Sequence, residues 1–224
     1  MYCSYFWFLR MEKTFAYTVR SAVISLVFLI WLLPAAHAQN MELRMLESIQ
    51  SGRTTTGVQV ANGISNTIYP VAAGAVIGEL AYGYLAHDKT WQTNGWQMAA
   101  GLTVTLGATY ILKNTVKRER PFQKYPEQVI SDSHTNEYSF PSGHTSTAFS
   151  LATSLSLQCP KWYVIAPSFL YAGAIGYSRM YLGMHYPSDV AAGAVIGVAS
   201  SWITYKGTQW LQHRKQATKK PETF

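Results

Sequence analysis

Residues 178–197 read SRMYLGMHYPSDVAAGAVIG, and this stretch decides how the chain folds. Ser178-Arg179 close an apolar run that begins near residue 163, and Asp189 opens another that continues to about residue 205. Pro187 stands between them. It lacks an amide hydrogen and fixes its own φ, so one helix cannot run through it from the left. The spacing therefore predicts helix, short loop, helix, with His185 on the loop and Asp189 in the first turn of the second helix. That helix contains AAGAVIG at 191–197, where Gly193 and Gly197 offer a face on which another backbone can come close.

The same heptapeptide recurs at 72–78 with Gly74 and Gly78, and tight packing is expected at both copies. Working outward, apolar segments fall at about 67–86, 96–112, 143–158, 163–178 and 189–205, while strand-like alternation is scarce. The fold class this predicts is all-α: a helical bundle, membrane-embedded, with about five apolar helices after a signal peptide. Hydrophobic residues make up 48% and charged residues only 13%, which is low in charge for a soluble globular protein. The segments are nevertheless rich in Gly, Ala, Ser and Thr. Most are shorter or more polar than the ~20 apolar residues of an ideal span, and the mean hydropathy is near zero. Residues 41–50 read as a short amphipathic helix with Met45, Leu46 and Ile49 on one side. Glu79 sits inside an apolar segment and is a functional candidate on that ground, though no motif includes it; the alternative is that it simply faces the bundle interior.

At the amino end, residues 11–38 read as a secretory signal: Lys13 and Arg20 lead, Ala22–Leu33 are apolar, and Ala36-His37-Ala38 form a cleavage site. The other reading is an uncleaved anchor. Domain boundaries follow: 1–38 signal or anchor, 39–66 an amphipathic periplasmic segment, 67–206 the main domain, and 207–224 a basic tail. Cys3 would leave with the signal and Cys159 would stand alone, so no disulfide framework is expected. The net charge of +7 is concentrated partly in Lys206, Arg214, Lys215, Lys219 and Lys220. A cluster beyond the last apolar segment reads as a cytoplasmic topology signal, and no motif supports nucleic-acid binding. Counting segments inward from residue 39 places the loops after 112 and 178 outside. Trp91, Trp96, Trp162, Trp202 and Trp210 then fall near inner ends. Tyr69, Tyr110, Tyr138, Tyr177, Tyr181 and Tyr186 fall near outer ones, as in an interfacial belt. The expected location is the bacterial inner membrane with the site facing the periplasm; the alternative is a soluble periplasmic protein.

Three blocks carry chemistry. Lys113 ends one apolar segment and Arg120-Pro121 follow seven residues on. Pro141-Ser142-Gly143-His144 opens the next, with Ser142 as N-cap and the free first-turn N–H groups able to receive an anion. Ser178-Arg179 precede His185 and Asp189. A point charge and planar guanidinium forks can grip different oxygens of one phosphate. The Asp189 carboxylate can take the proton on one nitrogen of His185 and leave the other as a nucleophile. Lys117, Arg118 and Glu119 read as a solvated helix end outside the site. No HExxH pair, paired-cysteine site or carboxylate cluster is present to hold a metal, so no cofactor is expected.

In fixed order these blocks spell K-x6-R-P (KNTVKRERP, 113–121), P-S-G-H (141–144) and S-R-x5-H-x3-D (SRMYLGMHYPSD, 178–189). Over roughly residues 66–206 the chain resembles the type 2 phosphatidic acid phosphatase superfamily, which also includes bacterial acid phosphatases and vanadium haloperoxidases. The resemblance implies a metal-independent phosphatase acting on a lipid phosphate monoester or pyrophosphate: phosphatidic acid, phosphatidylglycerol phosphate, an isoprenyl pyrophosphate or a lipid A phosphate. It implies His185 as nucleophile through a phosphohistidine, His144 as acid and then base, and Asp189 as the partner of His185. Lys113, Arg120, Ser142, Gly143 and Arg179 would bind phosphate. Partners would be the lipid substrate and the membrane; oligomeric state is left open. The alternatives are a soluble non-specific acid phosphatase, a haloperoxidase, and a protein that only binds phospholipid head groups. The last needs cations but no nucleophile.

Overall fold

The computed structural model describes residues 35–131 and 135–217. The signal-like segment lies outside the described residues apart from its last four, which open a helix, and tail residues 218–224 lie outside as well. Residues up to Met41 and those from Glu42 onward form separate units, and the helical bundle belongs to the second.

All regular structure among the described residues is helical: α1 (Ala35–Gln50), α2 (Thr55–Asn66), α3 (Ile68–Leu85), α4 (Lys89–Val116), the single turn α5 (Pro121–Lys124), α6 (Gly143–Gln158), α7 (Trp162–Tyr181) and α8 (Pro187–Ala217). Local chemistry sets the boundaries. Thr54 caps α2 by accepting the Gly57 N–H, and Asp88 caps α4 by accepting from Thr90 and Trp91. Thr67, between α2 and α3, keeps helical φ and ψ. Thr55–Leu85 is the one stretch among the described residues long and apolar enough to cross a membrane, with 22% of its most apolar window buried. Of the three apolar residues expected to share a face of α1, Leu46 is buried, Ile49 half-buried and Met45 exposed.

Helix α6 is the hub, packing on α8, α7, α4 and α3. Its buried face is Ala148, Leu151 and Ala152 together with the hydroxyl residues Ser146, Thr147, Ser150, Thr153 and Ser154. The hydroxyls pair across the interfaces: Thr109 with Ser146 at 3.0 Å, and Ser150 with Ser201 at 2.8 Å. Ile68, Ala72, Met98, Leu102, Ala172 and Ile175 fill the space between helices.

The two AAGAVIG copies behave differently. A Cβ at Gly193 would sit 2.7 Å from the Ser142 carbonyl oxygen, and one at Gly197 would collide with the Ser146 carbonyl. Gly74 and Gly78 face open space, which corrects the expectation of tight packing at both. The reason is rotation: α3 turns Ile68, Ala72, Glu79 and Gly83 inward, leaving its two glycines on the opposite side.

The loop between α7 and α8 is set by Gly183. It adopts φ +71°, and the bonds Gly183 N–H to Met180 O (2.9 Å) and Met184 N–H to Arg179 O (3.1 Å) close a Schellman turn. A Cβ there would lie 2.6 Å from the Ile130 carbonyl oxygen. Gly183→Ala should therefore destabilise the fold by roughly 1–3 kcal/mol, read as a lower midpoint in denaturant unfolding. A midpoint equal to wild type would show that the turn relaxes without strain.

Candidate active site

The α7–α8 loop delivers His185 to a fully buried position. Its Nε2 lies 3.3 Å from the Arg120 guanidinium, and its Nδ1 lies 3.6 Å from Asp189 Oδ2. The second distance is longer than a hydrogen bond, and Nδ1 has no hydrogen-bond partner among the described residues. An arginine N–H facing Nε2 requires that nitrogen to accept, which leaves the ring proton on Nδ1, on the Asp189 side. Burial, reinforced by the positive Arg120 and Arg179 and opposed by Asp189, pushes the His185 pKa down to about 3. The ring is therefore neutral at physiological pH, with a lone pair on Nε2.

Asp189 is buried in the first turn of α8. Its Oδ2 accepts the Tyr186 N–H at 2.9 Å and its Oδ1 accepts from Arg118 at 2.7 Å. Its main-chain carbonyl accepts the Ser142 N–H at 3.1 Å, which joins the PSGH block to the HYPSD block through backbone alone. Ser142 takes the N-cap position of α6 as expected, but its hydroxyl pairs with Thr145 Oγ1 (2.9 Å) and makes no capping bond. The first turn of α6 is thus left without a side-chain cap, and its N–H groups and dipole favour an anion. His144, in that turn, packs edge-on against Tyr69 with ring centroids 4.8 Å apart, and it is within electrostatic reach of His185, Arg179, Arg120 and Lys113.

The three expected cations converge here. Arg120 is buried and donates to the Glu137 carbonyl (2.8 Å) and the Met184 carbonyl (3.1 Å). Arg179, also buried, donates to Ser65 Oγ at 2.9 Å, and its Nε has no partner among the described residues. Lys113 donates to the Tyr138 carbonyl at 2.6 Å. Burial first, and then the positive charge of Arg120, push the Lys113 ammonium down to about 8. The exposed carboxylate of Glu137 lies 3.8 Å from both Lys113 and Arg120. A cluster of positive groups that depresses one of its own members is short of negative charge, and a tetrahedral anion would supply it.

All eight residues singled out for the site, Lys113, Arg120, Ser142, Gly143, His144, Arg179, His185 and Asp189, belong to this one region. One expectation is corrected: Arg118 is no solvated helix end. Lys117 takes a left-handed conformation (φ 51°) at the end of α4, and the chain then brings Arg118 onto Asp189, onto Glu42 at 2.6 Å and over the Tyr186 ring at 3.8 Å from its centroid. Tyr186 is buried beneath it and so takes no place in an exposed belt. Glu42 and Glu137 are further residues that sequence reasoning missed, and no motif marked either. Beside the cluster, Tyr69, Leu106, Thr109, Tyr110, Lys113, Glu137 and Gly143 help line an open cavity of about 490 Å³.

Residues 94–213, more than half the chain, match the profile of the PAP2 superfamily. The chain belongs to that superfamily. It is 33% identical over 108 residues to the undecaprenyl-diphosphatase of Sulfolobus acidocaldarius, covering 48% of this chain and 50% of that protein. It is 33% identical over 130 residues to the lipid A 4'-phosphatase of Bacteroides thetaiotaomicron, covering 54% and 57% respectively. The chain thus spans about half the length of the curated relatives it matches. Among solved structures it resembles the transmembrane PAP2-type phosphatidylglycerolphosphate phosphatase of Bacillus subtilis with a TM-score of 0.67 at 22% identity, covering 85% of this chain and 95% of that one. It also resembles Aquifex aeolicus LpxE with a TM-score of 0.58 at 27% identity, covering 73% and 94%. These likenesses establish the PAP2 fold.

The depressed Lys113 ammonium gives the site a measurable signature. Sulfate, whose charge stays fixed across neutral and mildly alkaline pH, should bind more weakly as pH rises through about 8, because the ammonium is charged below that value and neutral above it. The loss should approach tenfold, the scale of one charge-assisted hydrogen bond. Calorimetric titration of the wild type and of Lys113→Met checks this: the variant should bind weakly throughout, with no step near that pH. A step that persists in Lys113→Met would assign the titration to another group.

Proposed function

We propose that the chain is a membrane-embedded, metal-independent phosphatase that cleaves a phosphate monoester or pyrophosphate from a lipid. The observation that carries this reading is the placement of His185, with Nε2 facing the arginine that would hold the phosphate and Nδ1 facing a buried carboxylate. In the first step the Nε2 lone pair attacks phosphorus in line and the bond to the leaving oxygen breaks, while His144 donates its proton to that oxygen. A phosphate dianion arriving beside His144 favours the protonated ring this step needs. The developing positive charge on His185 is held by Asp189. In the second step His144 takes a proton from water, the resulting hydroxide attacks phosphorus, and the P–N bond breaks to restore His185. Lys113, Arg120, Arg179 and the N–H groups around Ser142 and Gly143 hold the equatorial oxygens throughout.

The choice of a lipid rests on the surroundings. The cavity beside Lys113 and Gly143 is bounded by Leu106, Tyr110 and Tyr69, which are 46%, 69% and 45% exposed. A head group could therefore enter from an apolar flank while its chains stay in hydrocarbon. Trp91, Trp96, Trp162, Trp202 and Trp210 are all exposed, which suits rings at a membrane boundary and would be a liability in water. The relatives from Sulfolobus and Bacteroides are lipid phosphatases by their names, and that supports a lipid phosphate here. The signal-like start and the basic tail favour a site on the periplasmic side of the inner membrane.

Purified protein in detergent should release phosphate from a panel of phosphatidic acid, phosphatidylglycerol phosphate, isoprenyl pyrophosphate and lipid A substrates. Release should persist in EDTA, because the charges proposed to hold phosphate are side chains. His185→Ala should lower turnover at least ~1000-fold, the scale of losing a catalytic nucleophile. Activity lost to EDTA and restored by zinc or magnesium, or near-normal turnover in His185→Ala, would refute the mechanism.

A further inference from the structure

Arg118 lies outside every position of the three-block signature, yet it is tied directly to Asp189 and to that residue's neighbours. One guanidinium nitrogen, Nη1, donates to Asp189 Oδ1 and to Ser188 Oγ, both at 2.7 Å, and Nη2 donates to Glu42 Oε2 at 2.6 Å. Its plane rests on the Tyr186 ring. The other oxygen of Glu42, Oε1, accepts the Ser188 N–H at 3.2 Å. Glu42 therefore spans two groups at once, Arg118 and the first turn of the helix that bears Asp189. The side chains of Arg118 and Glu42 are only 24% and 14% exposed, so this is a partly buried, hydrogen-bonded assembly and not a surface pair, whose worth would be small.

These contacts have a consequence for His185. Asp189 Oδ2 is held by the Tyr186 N–H, but a single bond leaves the carboxylate free to turn about it. The bond from Arg118 to Oδ1 removes that freedom and aims Oδ2 at His185 Nδ1. Arg118 can do this only if its own fork is fixed. If released by Glu42, it could swing to grip both Asp189 oxygens in the bidentate manner arginine favours, drawing Oδ2 away from the imidazole.

We propose that Arg118 and Glu42 are positioning residues for the Asp189–His185 pair, so that the segment of α1 beginning at Glu42 is a working part of the active site. The proposal rests on the phosphatase reading of that site. The Arg118 side chain bonds Ser188, Asp189 and Glu42 and stacks on Tyr186, none of them a group proposed to hold phosphate. Its removal must therefore act on the chemical step and leave binding alone.

Turnover of an activated aryl phosphate and of the best lipid substrate is measured for wild type, Arg118→Ala, Arg118→Lys, Glu42→Gln and Asp189→Asn, and for each of the first three variants combined with Asp189→Asn. Arg118→Ala should lower kcat by about 10–100-fold, the range for loss of a group that orients a ligating or reacting side chain, with KM changed less than about threefold. Arg118→Lys should recover part of the loss, since it keeps a charge but no fork. Glu42→Gln should lower kcat by less than Arg118→Ala. In the Asp189→Asn background the Arg118→Ala substitution should have almost no further effect, because the group it positions no longer functions. If Arg118→Ala does not accumulate folded, Arg118→Lys takes its place in the same cycle. A kcat loss that persists in full beside Asp189→Asn, or a rise in KM at constant kcat, overturns the proposal. Wild-type protein that releases phosphate from no substrate removes the phosphatase reading itself. Active wild type with an unaffected Arg118→Ala removes this inference alone.

Discussion

The structure depends on how closely two helices approach. Gly193 and Gly197 let α8 come against the backbone of α6, with the Ser142 and Ser146 carbonyls where side chains would otherwise stand. At the end of that contact the Ser142 N–H bonds the Asp189 carbonyl. The PSGH and HYPSD blocks, far apart in sequence, are thus locked in register by backbone, with no side chain free to vary the distance. Helix α4 then brings Lys113, α7 brings Arg179, and the α7–α8 turn brings His185. A larger residue at either glycine would separate the anion-attracting end of α6 from the loop that carries His185.

Around that fixed point the interior is polar for a helical bundle. Ser146, Ser150, Thr105, Thr109, Ser154 and Ser201 are buried and bonded to one another or to helix carbonyls. Such pairs matter where the surroundings offer no water, and small hydroxyl residues also permit close axes. The outward faces carry large apolar side chains such as Leu85, Trp162 and Leu170. A bundle polar inside and apolar outside suits hydrocarbon as solvent.

Much of this was legible in the sequence, and the reason differs from residue to residue. The helix–loop–helix at 178–197 could be read because Pro187 forbids continuity and Asp189 follows it closely. The eight residues singled out for the site could be read together because their types and spacing suit one anion. Arg118 could not, since a charged triplet at a helix end has the composition of a solvated terminus, and only the left-handed turn at Lys117 reveals where it points. Glu42 was hidden by distance along the chain. The two identical AAGAVIG heptapeptides show the limit most plainly: the same residues pack in one copy and lie open in the other, because helix rotation is set by the whole face and not by the word.

The central claim is that His185 becomes covalently phosphorylated, and direct trapping tests it. Substrate carrying labelled phosphate is mixed with the enzyme, quenched in alkali within one turnover, digested and mapped by mass spectrometry. The expected result is a phosphoryl group on His185 that survives base and is lost in acid, as a phosphorus–nitrogen bond should be, and that is absent from His185→Ala. Label on a serine or aspartate instead, or turnover with no labelled residue at any quench time, would contradict the account.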